Sequence, residues 1–259
     1  MHAPIGIFDS GVGGTSIWKE VVKLLPNEDT LYLADSANAP YGEKSKEAIL
    51  QLSIKNTEYL LEQGCKLIIV ACNTATTNAI DHLRANYPVP FIGIEPAIKP
   101  AALQTKTKKV GVLATKGTLS SSLFHSTSKL FAEGITVIEQ EGKGLVELIE
   151  AGKTRSPEMR KLLMGFLQPM LEQRIDCLVL GCTHYPYLIP VLKELLPNNV
   201  TIIDSGEAVA RQTKAVLQAH QLLSIDGKDT MHRFYTNKGT EVLKNLVNGL
   251  NVQVSYLNF

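Results

Sequence analysis

The chain has 259 residues, 26 of them basic and 25 acidic, giving a formal charge of +1, and 44% are hydrophobic. That balance supplies no long-range field for nucleic acid or an anionic membrane surface, and no basic run restores one. No run of about 18 apolar residues reads as a membrane span, and "MHAPIGIFDSG" lacks the cationic-then-apolar order of a signal peptide. With four cysteines and no export signal, the expectation is a soluble cytoplasmic protein whose thiols stay free.

Short apolar runs alternate with helix-like stretches, the pattern of a parallel α/β sheet. Strands are expected at 5–8, 30–34, 66–71 and 90–94, then at 109–114, 135–139, 177–181 and 200–204. They are apolar on both faces, as strands covered by helices on both sides should be. Gly64 is expected to stop the helix before the strand at 66. The clearest helix is 156–173, with Ser156 as its cap, Pro157 in its first position and Pro169 expected to kink its last turn.

The two series of strands repeat one another. "IGIFDSG" (5–11) pairs with "VGVLATKG" (110–117), "LIIVACNTA" (67–75) with "LVLGCTHYP" (178–186), and "FIGIEPA" (91–97) with "TIIDSGEA" (201–208). The offsets are 105 residues between the first pair's starts, 110 between Cys72 and Cys182, and 109 between Glu95 and Asp204 at the expected strand ends. We therefore expect two similar open parallel-sheet α/β lobes related by a pseudo-twofold axis, with the site in the cleft between them. The first lobe is 1–97 plus 207–259 and the second is 98–206. A helix at about 207–223, the strand "HRFYT" and a helix from 239 onwards are expected to return to the first lobe.

Cys72 and Cys182 fall at the ends of equivalent strands, where open α/β sheets bind ligands. Each is followed by polar residues suited to capping a helix, a setting that lowers a thiol's pKa. Cys65 and Cys177 begin the same strands and are expected to be packing residues. No C-x-x-C occurs, so neither a zinc ribbon nor a thioredoxin-type redox motif is expected. Two thiols on opposite faces of a cleft suit removal of a proton from a carbon centre and its return to the other side. Asp9 and His184 are the ionisable groups best placed to tune them. The turn "DSGVGGTS" (9–16) is amide-rich and could hold a carboxylate or phosphate; it fits neither the dinucleotide fingerprint nor a Walker loop. "DSANAPYGEKS" (35–45) and "ATKGTLSSS" (114–122), with Thr115 and Thr118, follow further strands at the same edge.

"FDSGVGG", "PYG", "ACNTA" and "GCTHYP", in that order and spacing, resemble the glutamate racemases of the aspartate/glutamate racemase superfamily, over essentially the whole chain. The resemblance implies interconversion of L- and D-glutamate without cofactor or metal, to supply D-glutamate for peptidoglycan. It implies Cys72 and Cys182 as acid/base residues, the D-enantiomer giving its α-proton to Cys72 and the L-enantiomer to Cys182, with Asp9 assisting the first and His184 the second. It implies that Asp9, Ser10, Tyr41, Gly42, Asn73, Thr74, Thr115, Thr118, Thr183 and His184 hold the substrate, with Asp35 and Glu150 in support. No nucleic-acid or membrane partner follows, and a homodimer is compatible with it. The rival readings are an aspartate racemase or related isomerase of the superfamily, a non-catalytic two-lobe amino-acid-binding protein, a thiol redox protein and a Cys–His hydrolase.

Overall fold

Near-continuous apolar runs with helical connections leave the chain one economical solution: parallel strands, each returned by a right-handed crossover. The computed structural model describes residues 3–131, 133–224, 230–247 and 251–259. Among these, ten strands form two sheets, and every pairing is parallel. The first series comprises β1 (Ile5–Asp9), β2 (Thr30–Ala34), β3 (Leu67–Val70) and β4 (Phe91–Gly93). The second comprises β5 (Lys109–Ala114), β6 (Thr136–Glu141), β7 (Cys177–Gly181) and β8 (Thr201–Ile203). The strands run 2-1-3-4 in the first sheet and 6-5-7-8 in the second, so the internal repeat is also a repeat of topology.

Every residue of β1, β2, β3 and β7 is buried, as helix cover on both faces requires. The helix Pro157–Glu172 starts where expected: Ser156 Oγ accepts the Met159 amide at 3.1 Å, and Pro157 occupies the first turn. It runs through Pro169 to Glu172. The helix Lys46–Glu62 ends at Gly64, whose φ of 74° is the left-handed conformation glycine adopts freely.

After β8 the helix Gly206–Ala219 packs on the helix Thr15–Leu24. β9 (His232–Thr236) then lies alongside β2 and extends the first sheet. The expected helix from 239 onwards is only Glu241–Leu246, and β10 (Val252–Tyr256) follows it at the sheet's edge. Val252, Val254 and Tyr256 alternate with Gln253 and Ser255, the period of a half-exposed strand rather than of a helix. No helix among the described residues is long and apolar enough to cross a membrane.

In each sheet the chain leaves the first strand in opposite directions to its two neighbours. The gaps between β1 and β3, and between β5 and β7, are therefore the topological switch points where such sheets form crevices. Asp9 ends β1 and Cys72 follows β3; Thr115 follows β5 and Cys182 follows β7.

Candidate active site

Cys72 is the N-cap of the helix Asn73–Asn86. The Ala75 amide donates to its Sγ at 3.4 Å, and the thiol lies 3.7 Å from Ser10 Oγ. A helix N-terminus favours a thiolate, but here burial dominates: it pushes the Cys72 thiol far above its ordinary range, and the nearby Asp9 carboxylate pushes the same way. The lowering expected from the cap alone is outweighed.

Cys182 departs from its counterpart. No α-helix begins there; a 3-10 turn, Tyr185–Leu188, comes first, and the helix Ile189–Leu195 only after it. A side chain takes the helix's place. His184 Nδ1 sits 3.8 Å from Cys182 Sγ, and His184 Nε2 is 2.6 Å from Glu150 Oε1. Burial opposes an imidazolium at His184, yet contact with Cys182, the bond to Glu150 and the charge of Asp9 hold it well above the usual imidazole range. Burial likewise pulls Glu150 upward. The bond to His184 and its charge, with the Val12 amide and Ser36 hydroxyl, outweigh that and hold its carboxyl below the usual range. The pair is an imidazolium facing a carboxylate.

The glycine-rich turn after β1 makes room for this pair. A Cβ on Gly11 would lie 1.9 Å from Glu150 Oε1, and one on Gly13 would lie 2.2 Å from His184 Nδ1. The turn does hold carboxylates, but the protein's own: the Val12 amide donates to Glu150 Oε1 at 2.6 Å, and the Gly14 amide to Asp9 Oδ2 at 2.8 Å. Those two amides are thereby engaged within the protein. Asp9 Oδ1 accepts from Thr183 Oγ1 at 3.3 Å, and burial raises the pKa of Asp9.

Both thiols open onto one cavity of about 250 Å³, counted with the solvent at its mouth. Ser10, Tyr41, Gly42, Asn73, Thr74, Thr115, Thr183 and His184 line it with them, as do Pro40 and Val146. Four expected residues stand behind this wall: Asp9, Asp35, Thr118 and Glu150. Asp35 accepts the Tyr41 hydroxyl and the Asn38 and Asn237 amides, and so holds the loop that carries Tyr41 and Gly42. Thr118 lies 3.1 Å from Thr115 and 3.3 Å from Thr74, whose hydroxyls are 2.8 Å apart across the two sheets' loops.

Cys65 and Cys177 are buried outside the cavity, and burial pushes their thiols up to about 12 and about 11. All four cysteines are free. Among the described residues, no group of three or more His, Cys, Asp and Glu side chains converges as a metal site would.

The wall contains neither lysine nor arginine, and its one charged group, His184, is already bonded to Glu150, so hydroxyls and amides are its main means of holding an anionic ligand. One such group waits for a partner: both polar atoms of the Asn73 side chain are buried without a hydrogen bond. Orphaned buried amides are costly unless something fills the site. Sequence reasoning missed Pro40 as a wall residue, although "PYG" begins with it, and missed Val146, which carries no local signal. Both also line the outer recesses, so they form the mouth.

Residues 5–213 match the model of the Asp/Glu/Hydantoin racemase family. The glutamate racemase of Ectopseudomonas mendocina is 52% identical over 224 residues, 86% of this chain and 85% of that one. Two solved structures are similar along nearly the whole chain. One is the Escherichia coli glutamate racemase in complex with L-glutamate and the activator UDP-MurNAc-ala, at 34% identity and TM-score 0.86, covering 98% of each chain. The other is the Francisella tularensis glutamate racemase in complex with D-glutamate, at 28% identity and TM-score 0.85, covering 99% of this chain and 98% of that one. By its matched length and by these relatives, the chain belongs to the Asp/Glu/Hydantoin racemase family.

Proposed function

We propose that the protein interconverts L- and D-glutamate by a two-base mechanism that needs no cofactor, with Cys72 and Cys182 on opposite faces of the substrate's α-carbon. The observation that carries this reading is the meeting of two strand-end thiols, one from each sheet, on the wall of a single cavity. D-Glutamate gives its α-proton to Cys72 as thiolate, and Cys182 as thiol returns a proton from the other face; L-glutamate runs the reverse. Each turnover moves one proton on and one off, and leaves the charges on the two sulfurs exchanged.

Ser10, Asn73, Thr74, Thr115 and Thr183, with nearby backbone amides, hold the carboxylates and ammonium. The unpartnered Asn73 amide supports that role. The similar proteins of Escherichia coli and Francisella tularensis hold L- and D-glutamate respectively, which supports glutamate as the substrate in both configurations. On this reading the protein acts in the cytoplasm and its product is D-glutamate for peptidoglycan.

Proton NMR in D2O tests the substrate. With L-glutamate and no added cofactor, the Cα–H signal should vanish as optical rotation falls to zero. A persistent Cα–H signal would remove glutamate, and loss of the signal from aspartate instead would assign the sister substrate.

A further inference from the structure

Glu150 belongs to the second sheet's connections, at the end of the helix Leu145–Glu150, as do His184 and Cys182. Its other two hydrogen-bond donors do not. Val12 follows β1, and Ser36 follows β2, both in the first sheet. The Ser36 hydroxyl donates to Glu150 Oε2 at 2.9 Å, and that oxygen has no other protein donor among the described residues. Ser36 is itself 3% exposed. Asn237, just beyond β9, fixes the turn on both sides of it: its Nδ2 donates to Asp35 Oδ1, and its Oδ1 accepts the Ala37 amide at 2.8 Å. Asn237 lies outside the residues matched by the family model.

We propose that Ser36 is a positioning residue for one half of the reaction: braced by Asn237, its hydroxyl orients Glu150, and through Glu150 it orients His184 against Cys182. A carboxylate with one oxygen bound and the other free can turn about its own axis, and the imidazole bonded to it turns with it. Bound at both oxygens, Glu150 has one orientation, and His184 Nδ1 faces the sulfur. Because the donors come from the first sheet and the acceptor from the second, this alignment is complete only when the loop holding Ser36 meets the helix Leu145–Glu150. No comparable bond links Ser36 to Cys72, so the effect belongs to the Cys182 face alone.

Steady-state racemisation does not read this asymmetry. The two enantiomers have equal free energy in water, so kcat/KM is bound to be equal in the two directions in every variant. One-base chemistry does read it. From 3-chloroglutamate a single base removes the α-proton as chloride leaves; the enamine tautomerises, and water hydrolyses the imine to 2-oxoglutarate and ammonium. The L-probe uses Cys182 and the D-probe Cys72, an assignment that rests on the proposed mechanism.

Ser36→Ala should lower 2-oxoglutarate formation from the L-probe about tenfold and leave the D-probe within about twofold, consistent with the loss of one positioning hydrogen bond. Ser36→Thr should restore the L-probe rate. In a Glu150→Gln background, Ser36→Ala should cost less than about twofold more, since residues acting in one chain are not additive. Equal loss on both probes, or no loss on either, overturns the proposal. If Cys182→Ser instead leaves the L-probe reaction intact, it is the assignment of enantiomers to thiols that has failed, and the two failures are told apart.

Discussion

The ends of β3 and β7 occupy the same place in a repeated topology, each carry a cysteine five residues after the strand's first residue, and still solve different problems. At Cys72 the surroundings are backbone and hydroxyl: a helix N-terminus, the Ala75 amide and Ser10, with Asp9 nearby. At Cys182 they are ionic: His184 against the sulfur and Glu150 behind it. Burial and Asp9 push the first thiol's pKa up, whereas the second has a charged partner at hand. Duplicated strands give two thiols facing one space, and in each direction of the reaction one must serve as base and the other as acid.

Removing either sulfur is the harshest way to break that comparison. Cys72→Ser and Cys182→Ser should each lower racemisation by about 10³-fold or more, the upper range for a positioned acid or base, read by optical rotation. A sharper cut follows from the unlike partners. His184→Asn should cost about a hundredfold and weigh on the L-enantiomer's elimination, whereas Asp9→Asn should weigh on the D-enantiomer's. Gly13→Ala should imitate His184→Asn, because its methyl group would occupy the position of the imidazole ring.

The ion pair also sets a pH dependence of stability. His184 is raised in the fold, so its contribution is full below its ordinary 6.5 and is lost as pH rises through the higher folded value. Glu150 is lowered, so its contribution is full above its ordinary 4.5 and is lost as pH falls through the lower folded value. Thermal unfolding should therefore show the wild type ahead of Glu150→Gln by about 1–3 kcal/mol near pH 6, a gap that narrows in alkali as His184 loses its charge. The smallest effects belong to the remaining cysteines. Cys65→Ala and Cys177→Ala should cost about 1 kcal/mol of stability through lost packing and leave turnover per folded molecule within about twofold.

Much of the scaffold was legible because it obeys short-range rules. Fully buried strands announce themselves as apolar runs, Ser156 and Pro157 mark a helix start, and Gly64 marks a helix end. Cys72 and Cys182 were legible because the repeat put them in register. β10 was misread because its alternation spans only five residues and lies at an edge, where a strand looks polar. The geometry around Glu150 was hidden for another reason: Val12 and Ser36 reach it from 138 and 114 residues away. No local pattern in the sequence marks a serine that serves a partner so distant. The 3-10 turn after Cys182 was masked by a polar successor that resembled a cap.

The most direct measurement compares elimination from L- and D-3-chloroglutamate by Cys72→Ser and Cys182→Ser, reading 2-oxoglutarate. With the thiols on opposite faces, Cys72→Ser should keep the L-probe reaction and lose the D-probe reaction, and Cys182→Ser should do the reverse. The same enantiomer preference in both variants would contradict the two-face assignment.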